Sequence, residues 1–294
     1  MKKAIYSLSC LIAAGALTAC GGAKSADDKK NNSDSIKSEN AMPEYKELDK
    51  PQVDISKYTA DKNGYIALFD GKSTVGWRGY GKDNLPGKWS VDKGTLKFTG
   101  AGGGEAQEKD GGDIIFAHKF KNFILELEWK VAKGTNSGIF YLAREIESTD
   151  KDGKAKMEPI YISSPEYQVL DNANHVDAMA GKDGNRQAGS LYDMIPAKPQ
   201  NARPYGEWNK TEIVVSKGTV FHKQNGETVV EYHLWTPEWT KMLQESKFKE
   251  GSNDFPLAFG LLDKCGGPDR EGYIGLQDHG DDVWFRNIKI KVLD

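Results

Sequence analysis

Three cysteines in 294 residues exclude a disulfide-built scaffold. Cys10 lies in an apolar N-terminal run, Cys20 ends that run, and only Cys265 remains further on. Cys265 sits in the loop sequence Asp263-Lys264-Cys265-Gly266-Gly267-Pro268. A nucleophilic thiol needs a positioned histidine, and no such partner stands near it in sequence, so a structural thiol is expected. Positive charge is not in excess either. Lys and Arg number 40 against 43 Asp and Glu, for a net charge of −3. Without a basic stripe, nucleic acid is excluded as a partner. No apolar run is long enough to cross a bilayer, because Leu8 to Leu17 is too short. Helical periodicity is nearly absent too. Pro237 to Phe248, with an apolar stripe of Trp239, Met242 and Leu243, is the one helix predicted. No βαβ alternation and no internal repeat is present.

What the chain does have is glycine, at 32 residues, and tryptophan, at 7. Gly-rich turns between short alternating segments describe an all-β domain. Phe123 to Val131 is the cleanest case: Phe123, Leu125, Leu127, Trp129 and Val131 share one face, with Glu126, Glu128 and Lys130 opposite. Glu126 and Glu128 read as a solvated face rather than a catalytic pair. Further strands are predicted at Trp89-Ser90-Val91, Thr95 to Phe98, Asp113 to Phe116, Asn136 to Leu142, Thr211 to Val215, Gly272 to Gly280 and Val283 to Lys291. Asn225-Gly226 between Val220 to Gln224 and Glu227 to His233 is the strongest hairpin signal. About a dozen strands and one short helix predict a two-sheet antiparallel β-sandwich of the jelly-roll type.

The N-terminus carries its own signal. Lys2 and Lys3 precede the apolar run, and Leu17-Thr18-Ala19-Cys20 resembles a bacterial lipobox. That pattern implies a lipoprotein signal peptide over residues 1–19 and a lipid on Cys20. Residues 20–60 are rich in Gly, Ser, Asp, Asn and Lys and read as a disordered tether. Such a tether holds a domain over residues 61–294 roughly 30–40 Å from the membrane. The expected location is the bacterial cell envelope, on either membrane face.

One segment gathers functional side chains. Glu166 to Asn172 reads as a strand after Pro165 that ends in a polar turn. Period two puts Glu166 and Gln168 on one face, and acid and amide on one face predict a wet, open groove. The polar loop at 173–190 adds His175, Asp177 and Arg186, and a loop of that length in a compact domain is commonly functional. Asp171 and Asn172 serve equally well as turn caps. His175-x-Asp177 and Asp278-His279-x-Asp281-Asp282 contain metal-ligating residue types, which leaves a divalent metal cofactor open, although no metal site is assigned. The triple glycine Gly102-Gly103-Gly104 lacks the Lys-Ser/Thr ending of a phosphate loop.

A set of motifs then coincides. Leu68-Phe69-Asp70-Gly71-Lys72, Trp77, Asn136-Ser137-Gly138-Ile139, Glu166 to Asn172, Gly189-Ser190-Leu191-Tyr192, Glu207-Trp208-Asn209, Asn225-Gly226, Gly275 to Gly280 and Phe285-Arg286-Asn287-Ile288 together resemble the 3-keto-disaccharide hydrolase family over residues 64–294. The resemblance implies a concanavalin-like sandwich and a glycoside substrate already oxidised at C3 of a glucose-type ring. A 3-keto group acidifies the proton on C2. A base that removes it lets the enolate expel the C1 substituent, and water then adds if hydrolysis is the net result. Glu166 or His175 is expected as base, with Asp193 as a further catalytic candidate. Asn136, Gln168, Asp171, Tyr192, Gln277 and His279 are expected to bind the sugar, and Arg144 and Arg286 to hold the keto or enolate oxygen. The alternative from another class is a carbohydrate-binding surface lipoprotein without catalysis, and an ordinary two-carboxylate glycosidase ranks third. The segment Glu145 to Tyr161, rich in Lys, Asp and Glu, departs from the family pattern and is expected to reshape the cleft rim.

Overall fold

Residues 43–100, 110–150 and 152–294 are described by a computed structural model. The predicted signal peptide, Cys20 and most of the tether lie outside these residues, as does most of the glycine-rich loop at 100–112. The strands are β1 (Tyr45–Glu47), β2 (Ile66–Ala67), β3 (Trp77–Gly79), β4 (Trp89–Asp92), β5 (Thr95–Phe98), β6 (Ile114–Phe120), β7 (Phe123–Val131), β8 (Asn136–Ala143), β9 (Ile146–Thr149) and β10 (Ala155–Met157). After them come β11 (Glu166–Leu170), β12 (Asn209–Ser216), β13 (Thr219–Gln224), β14 (Glu227–His233), β15 (Gly272–Leu276) and β16 (Val283–Val292), with helices α1 (Pro237–Gln244) and α2 (Ala258–Asp263).

All pairings are antiparallel. One large sheet runs β14-β13-β12-β7-β16-β5-β4, with β2 attached to β16; a five-stranded sheet runs β11-β8-β15-β6-β3. The expected sandwich is therefore observed. Phe123, Leu125, Leu127, Trp129 and Val131 of β7 are all buried, and they share one core cluster with Ile139, Tyr141, Tyr167, Val169, Ile274 and Leu276 of the five-stranded sheet. Each fully buried large apolar side chain contributes roughly 1.5–3 kcal/mol. The opposite face of β7 is charged and paired. Glu126 meets Lys210 and Lys289, and Glu128 meets Arg286 and Asn287.

A buried polar chain ties the two sheets. The carbonyl of Gly189 accepts from Nδ1 of His222, so Nε2 of His222 is bare and accepts from the Tyr141 hydroxyl. The Tyr232 hydroxyl donates in turn to Tyr141. Burial lowers the His222 pKa to about 4.

Three expectations need correction. Folded structure begins before residue 61, because β1 pairs with β9 and β9 with β10 in a small third sheet, and Val53 N–H donates to Ala117. Tyr45–Glu47 is polar and has no alternation to signal it. The helix predicted to Phe248 stops at Gln244, where Ser246 turns its hydroxyl onto the Leu243 carbonyl and accepts from Phe248 N–H. A second helix, α2, went unforeseen. Its Ala258, Leu261 and Leu262 are buried, but six residues are too few to show a period. Cys265 is fully buried, and burial pushes its thiol up to about 12, as expected of a structural thiol.

Candidate functional site

Alternation along β11 places Tyr167 and Val169 in the core, so Glu166 and Gln168 point to the outer face of the five-stranded sheet. The same logic on β8 turns Asn136, Gly138 and Phe140 outward, and after β15 it turns Gln277 outward. Gln168 pairs with Gly138, and Gln277 N–H donates to the Gly138 carbonyl. Glutamine, glycine and glutamine thus form one row across three adjacent strands. Glycine at its centre is required. A Cβ on Gly138 would stand 2.4 Å from the Glu166 carboxylate oxygen Oε1. The empty position is what lets that carboxylate lie over the sheet.

The face is not a wet groove, in contrast to the sequence reading. All five residues of β11 are buried. Gln168 is satisfied locally, accepting from Val169 N–H and donating to the Arg186 carbonyl. The side-chain oxygens Asn136 Oδ1 and Gln277 Oε1, however, are buried without a hydrogen-bond partner. Two unmatched acceptors on one sheet face are costly, and such groups mark places where a ligand's donors belong.

The loop after β11 and the chain after α1 close over this face. Asp193 Oδ1 accepts from Arg186 Nε at 2.6 Å, and its Oδ2 accepts from the Lys247 backbone N–H at 2.7 Å. Arg186 also donates to Asp177 Oδ1 at 3.1 Å, and Asp177 Oδ2 accepts from the Tyr192 hydroxyl at 3.0 Å. The circuit returns to its start, because the Lys247 ammonium lies 4.4 Å from the Tyr192 ring centre. Phe248, Tyr161 and Phe255 present their rings to the same ammonium at 5.0, 5.4 and 5.4 Å. Burial lowers the Lys247 pKa, and the carboxylate of Glu166 is the strongest charge opposing that shift. Burial likewise raises the Tyr192 pKa, with Glu166 and Asp177 adding to it. Tyr161, Arg186, Tyr192, Lys247 and Phe255 are each half-buried, so this rim stays reachable from solvent.

Past the C-terminal ends of β11 and β15, His175 and His279 stand edge to face with ring centres 6.1 Å apart. His175 caps a short 3-10 turn, Val176–Met179, its Nδ1 accepting from Asp177 N–H at 3.1 Å. A backbone N–H can only donate, so Nδ1 is bare, and in the neutral ring the proton sits on Nε2. Burial, then the charge of His279, lowers the His175 pKa and favours that neutral ring. In that neutral ring His175 offers a donor, not the bare nitrogen of the expected base, to a ligand at Nε2.

Other expected residues sort by position. Asp193 is close by, but both its oxygens are engaged and its φ is +61°, so it is a fastening group rather than a base. The Asp171 carboxylate accepts from Gly134 N–H, Ala173 N–H and Asn174, which is the turn-capping alternative. Arg144 lies beyond the far end of β8, bound to Glu47 at 2.6 Å. Arg286 belongs to the other sheet, stacked 3.9 Å from the Trp208 ring centre and paired with Glu128. Neither arginine joins Glu166. The metal-ligating residue types noted in the sequence are not gathered into one cluster. No three of His, Cys, Asp and Glu are grouped to hold an ion among the described residues. His175 and Asp177 are taken up as above, and Asp278 accepts from Gly112 and Gly280. The Lys247 ammonium was missed in the sequence, since Lys247 and Lys249 flank Phe248 in a polar stretch with no period.

A groove of about 530 Å³ opens on the outer face of the large sheet, lined by Asp70, Glu126, Glu128, Lys210, Asn287 and Lys289. Its glutamates are already ion-paired, and it holds no histidine. The more reactive set is the one around Glu166.

Residues 64–291 match the 3-keto-alpha-glucoside-1,2-lyase-like domain family. A protein of Bacteroides thetaiotaomicron named 3-keto-disaccharide hydrolase is 60% identical over 294 residues, covering all of both chains. Among solved structures, an inferred glycosyl hydrolase from Parabacteroides distasonis is 27% identical with a TM-score of 0.61, covering 79% of this chain and 95% of that one. A second from the same organism is also 27% identical, with a TM-score of 0.55 and coverage of 78% and 99%.

Proposed function

The chain belongs to the 3-keto-alpha-glucoside-1,2-lyase-like family, and on that premise we propose that it cleaves glycosides whose glucose-type ring carries a ketone at C3. The observation that carries the reading is the outer face of the five-stranded sheet, where the Glu166 carboxylate lies over Gly138 on the same face as the unmatched oxygens of Asn136 and Gln277. Sugar hydroxyls supply the donors those two oxygens lack. Glu166 takes the proton from C2, and the electron pair left behind moves onto the C3 oxygen as an enolate. Its return breaks the bond from C1 to the departing oxygen, leaving a C1=C2 double bond. His175, through Nε2–H, gives the departing oxygen a hydrogen bond, that oxygen takes a proton from water as it leaves, and the Glu166 proton returns to solvent. Water added across C1=C2 makes the net reaction a hydrolysis. The paired glutamates on the other sheet do not support direct two-carboxylate hydrolysis, since Glu126 and Glu128 are held by lysines and by Arg286 and Asn287.

The test uses a 3-keto-glucoside and the parent glycoside side by side. Wild type is expected to cleave only the keto form, and Glu166→Gln to be slower by at least about tenfold, which is ~1.4 kcal/mol of barrier. Cleavage of the parent at an equal rate, or full activity of Glu166→Gln, overturns the reading.

The segment between Arg144 and Tyr161 supplies β9, β10 and the Tyr161 ring beside Lys247, so a role in choosing the leaving group belongs to the same proposal. So does attachment to the cell envelope through Cys20, which rests on the Leu17-Thr18-Ala19-Cys20 pattern alone. Cys20→Ser is expected to move the protein from the membrane to the soluble fraction; unchanged membrane retention argues against the anchor.

A further inference from the structure

Removal of a C2 proton leaves negative charge on the C3 oxygen, and a buried site has to offset that charge. Arg144 and Arg286, expected for this task, are both elsewhere. Among the described residues around Glu166, two cations remain. Arg186 is consumed by Asp193 and Asp177. Lys247 is held differently. Its backbone N–H is fixed by Asp193, while its ammonium has one long contact to the Tyr192 hydroxyl, at 3.4 Å, and is otherwise surrounded by rings. Rings attract a cation through their faces without taking up its N–H donors. The ammonium therefore keeps donors for a ligand.

We propose that Lys247 is a catalytic residue whose ammonium receives the enolate oxygen as Glu166 removes the C2 proton. This rests on the reading of the reaction given above. The charge balance is what recommends it. Before transfer the Glu166 carboxylate is the strongest negative charge acting on the ammonium. After transfer Glu166 is a neutral acid and the enolate carries the negative charge. The site's net charge stays constant, and the ammonium exchanges one anion for another without solvent reorganisation. In low-dielectric surroundings that interaction is far stronger than in water. The site then reads in the order of the substrate: Lys247 for the C3 oxygen, Glu166 for the C2 proton, His175 for the oxygen on C1. The closed circuit through Asp193, Arg186, Asp177 and Tyr192 fixes Lys247 at both ends, as preorganisation requires.

The experiment isolates the first step. The probe is 1,5-anhydro-3-keto-glucitol, a ketone with no exocyclic leaving group at C1, incubated with the full chain in D2O. Exchange of the C2 proton is followed by NMR, and cleavage of a 3-keto-glucoside is measured in parallel. Lys247→Met fills the ring-lined site without charge, and Lys247→Arg retains charge. Exchange is expected to fall at least about a hundredfold in Lys247→Met, and by about tenfold or less in Lys247→Arg. Exchange within threefold of wild type in Lys247→Met overturns the inference while the proposed reaction stands. So does a borohydride-reduced adduct on Lys247 found by mass spectrometry, since it would make the amine a nucleophile rather than a charge. Wild type that neither exchanges the probe nor cleaves the 3-keto-glucoside overturns the proposed reaction itself, and the inference with it.

Discussion

Gly138→Ala is the smallest change that tests how the base is placed. Gly138 does not have a positive φ, so alanine is allowed there and gains about 0.4–1 kcal/mol from a less flexible unfolded chain. Its new methyl stands 2.4 Å from Glu166 Oε1 and 2.9 Å from Cδ. Ordinary contact begins at 3.4 Å, so the carboxylate has to retreat by about 1 Å. The carboxylate is buried, and the β11 backbone is pinned by β8 and by Tyr192 N–H, so the side chain has to give. A displacement of about 1 Å in a reacting group costs on the order of a hundredfold, or ~2.7 kcal/mol of barrier. The assay is kcat/KM on a 3-keto-glucoside together with thermal unfolding. The expected result is a hundredfold loss at nearly unchanged Tm. Activity within threefold of wild type at unchanged Tm would refute the placement of Glu166 as the base.

Two further perturbations probe the scaffold. The His222 pKa is about 4 in the fold against an ordinary 6.5, so the neutral ring is what the fold accepts. The unfolded chain binds a proton first, and stability falls as pH drops from about 6.5 to 4, by about 3 kcal/mol in all. His222→Gln should show a shallower loss than wild type across that window in denaturant titrations; parallel slopes would contradict the assignment. Glu145 accepts twice from Arg78, at 2.6 and 2.7 Å, and once from Gly81 N–H, all buried or nearly so. Glu145→Ala strands the guanidinium and is expected to cost about 3–5 kcal/mol of unfolding free energy. A loss below 1 kcal/mol would show that water rescues Arg78.

The sandwich was legible because strand alternation is a property of single residues. Phe123 to Val131 and the Asn225-Gly226 turn appear as read, with β13 and β14 flanking that turn. That Glu166 and Gln168 share the outer face of β11 was legible as well. Its burial was not, because the cover comes from residues 173–195 and 245–255, distant in sequence. Lys247 illustrates the limit. Its position depends on where α1 stops, and the Ser246 hydroxyl bonds the Leu243 carbonyl just past that stop. The arginines fail for a related reason. Arg286 follows Phe285 on β16, and only strand order shows that β16 belongs to the other sheet. The capping of Asp177 N–H by His175 could not be read from one sequence.

The central claim is that bond breaking at C1 begins with loss of the C2 proton to Glu166. Its most direct measurement is turnover of a 3-keto-glucoside carrying deuterium at C2, with the released sugar observed by NMR. The account predicts that the deuterium is lost to solvent in step with cleavage. Deuterium retained at C2 in the cleaved sugar would contradict it, because water would then have displaced the C1 substituent directly.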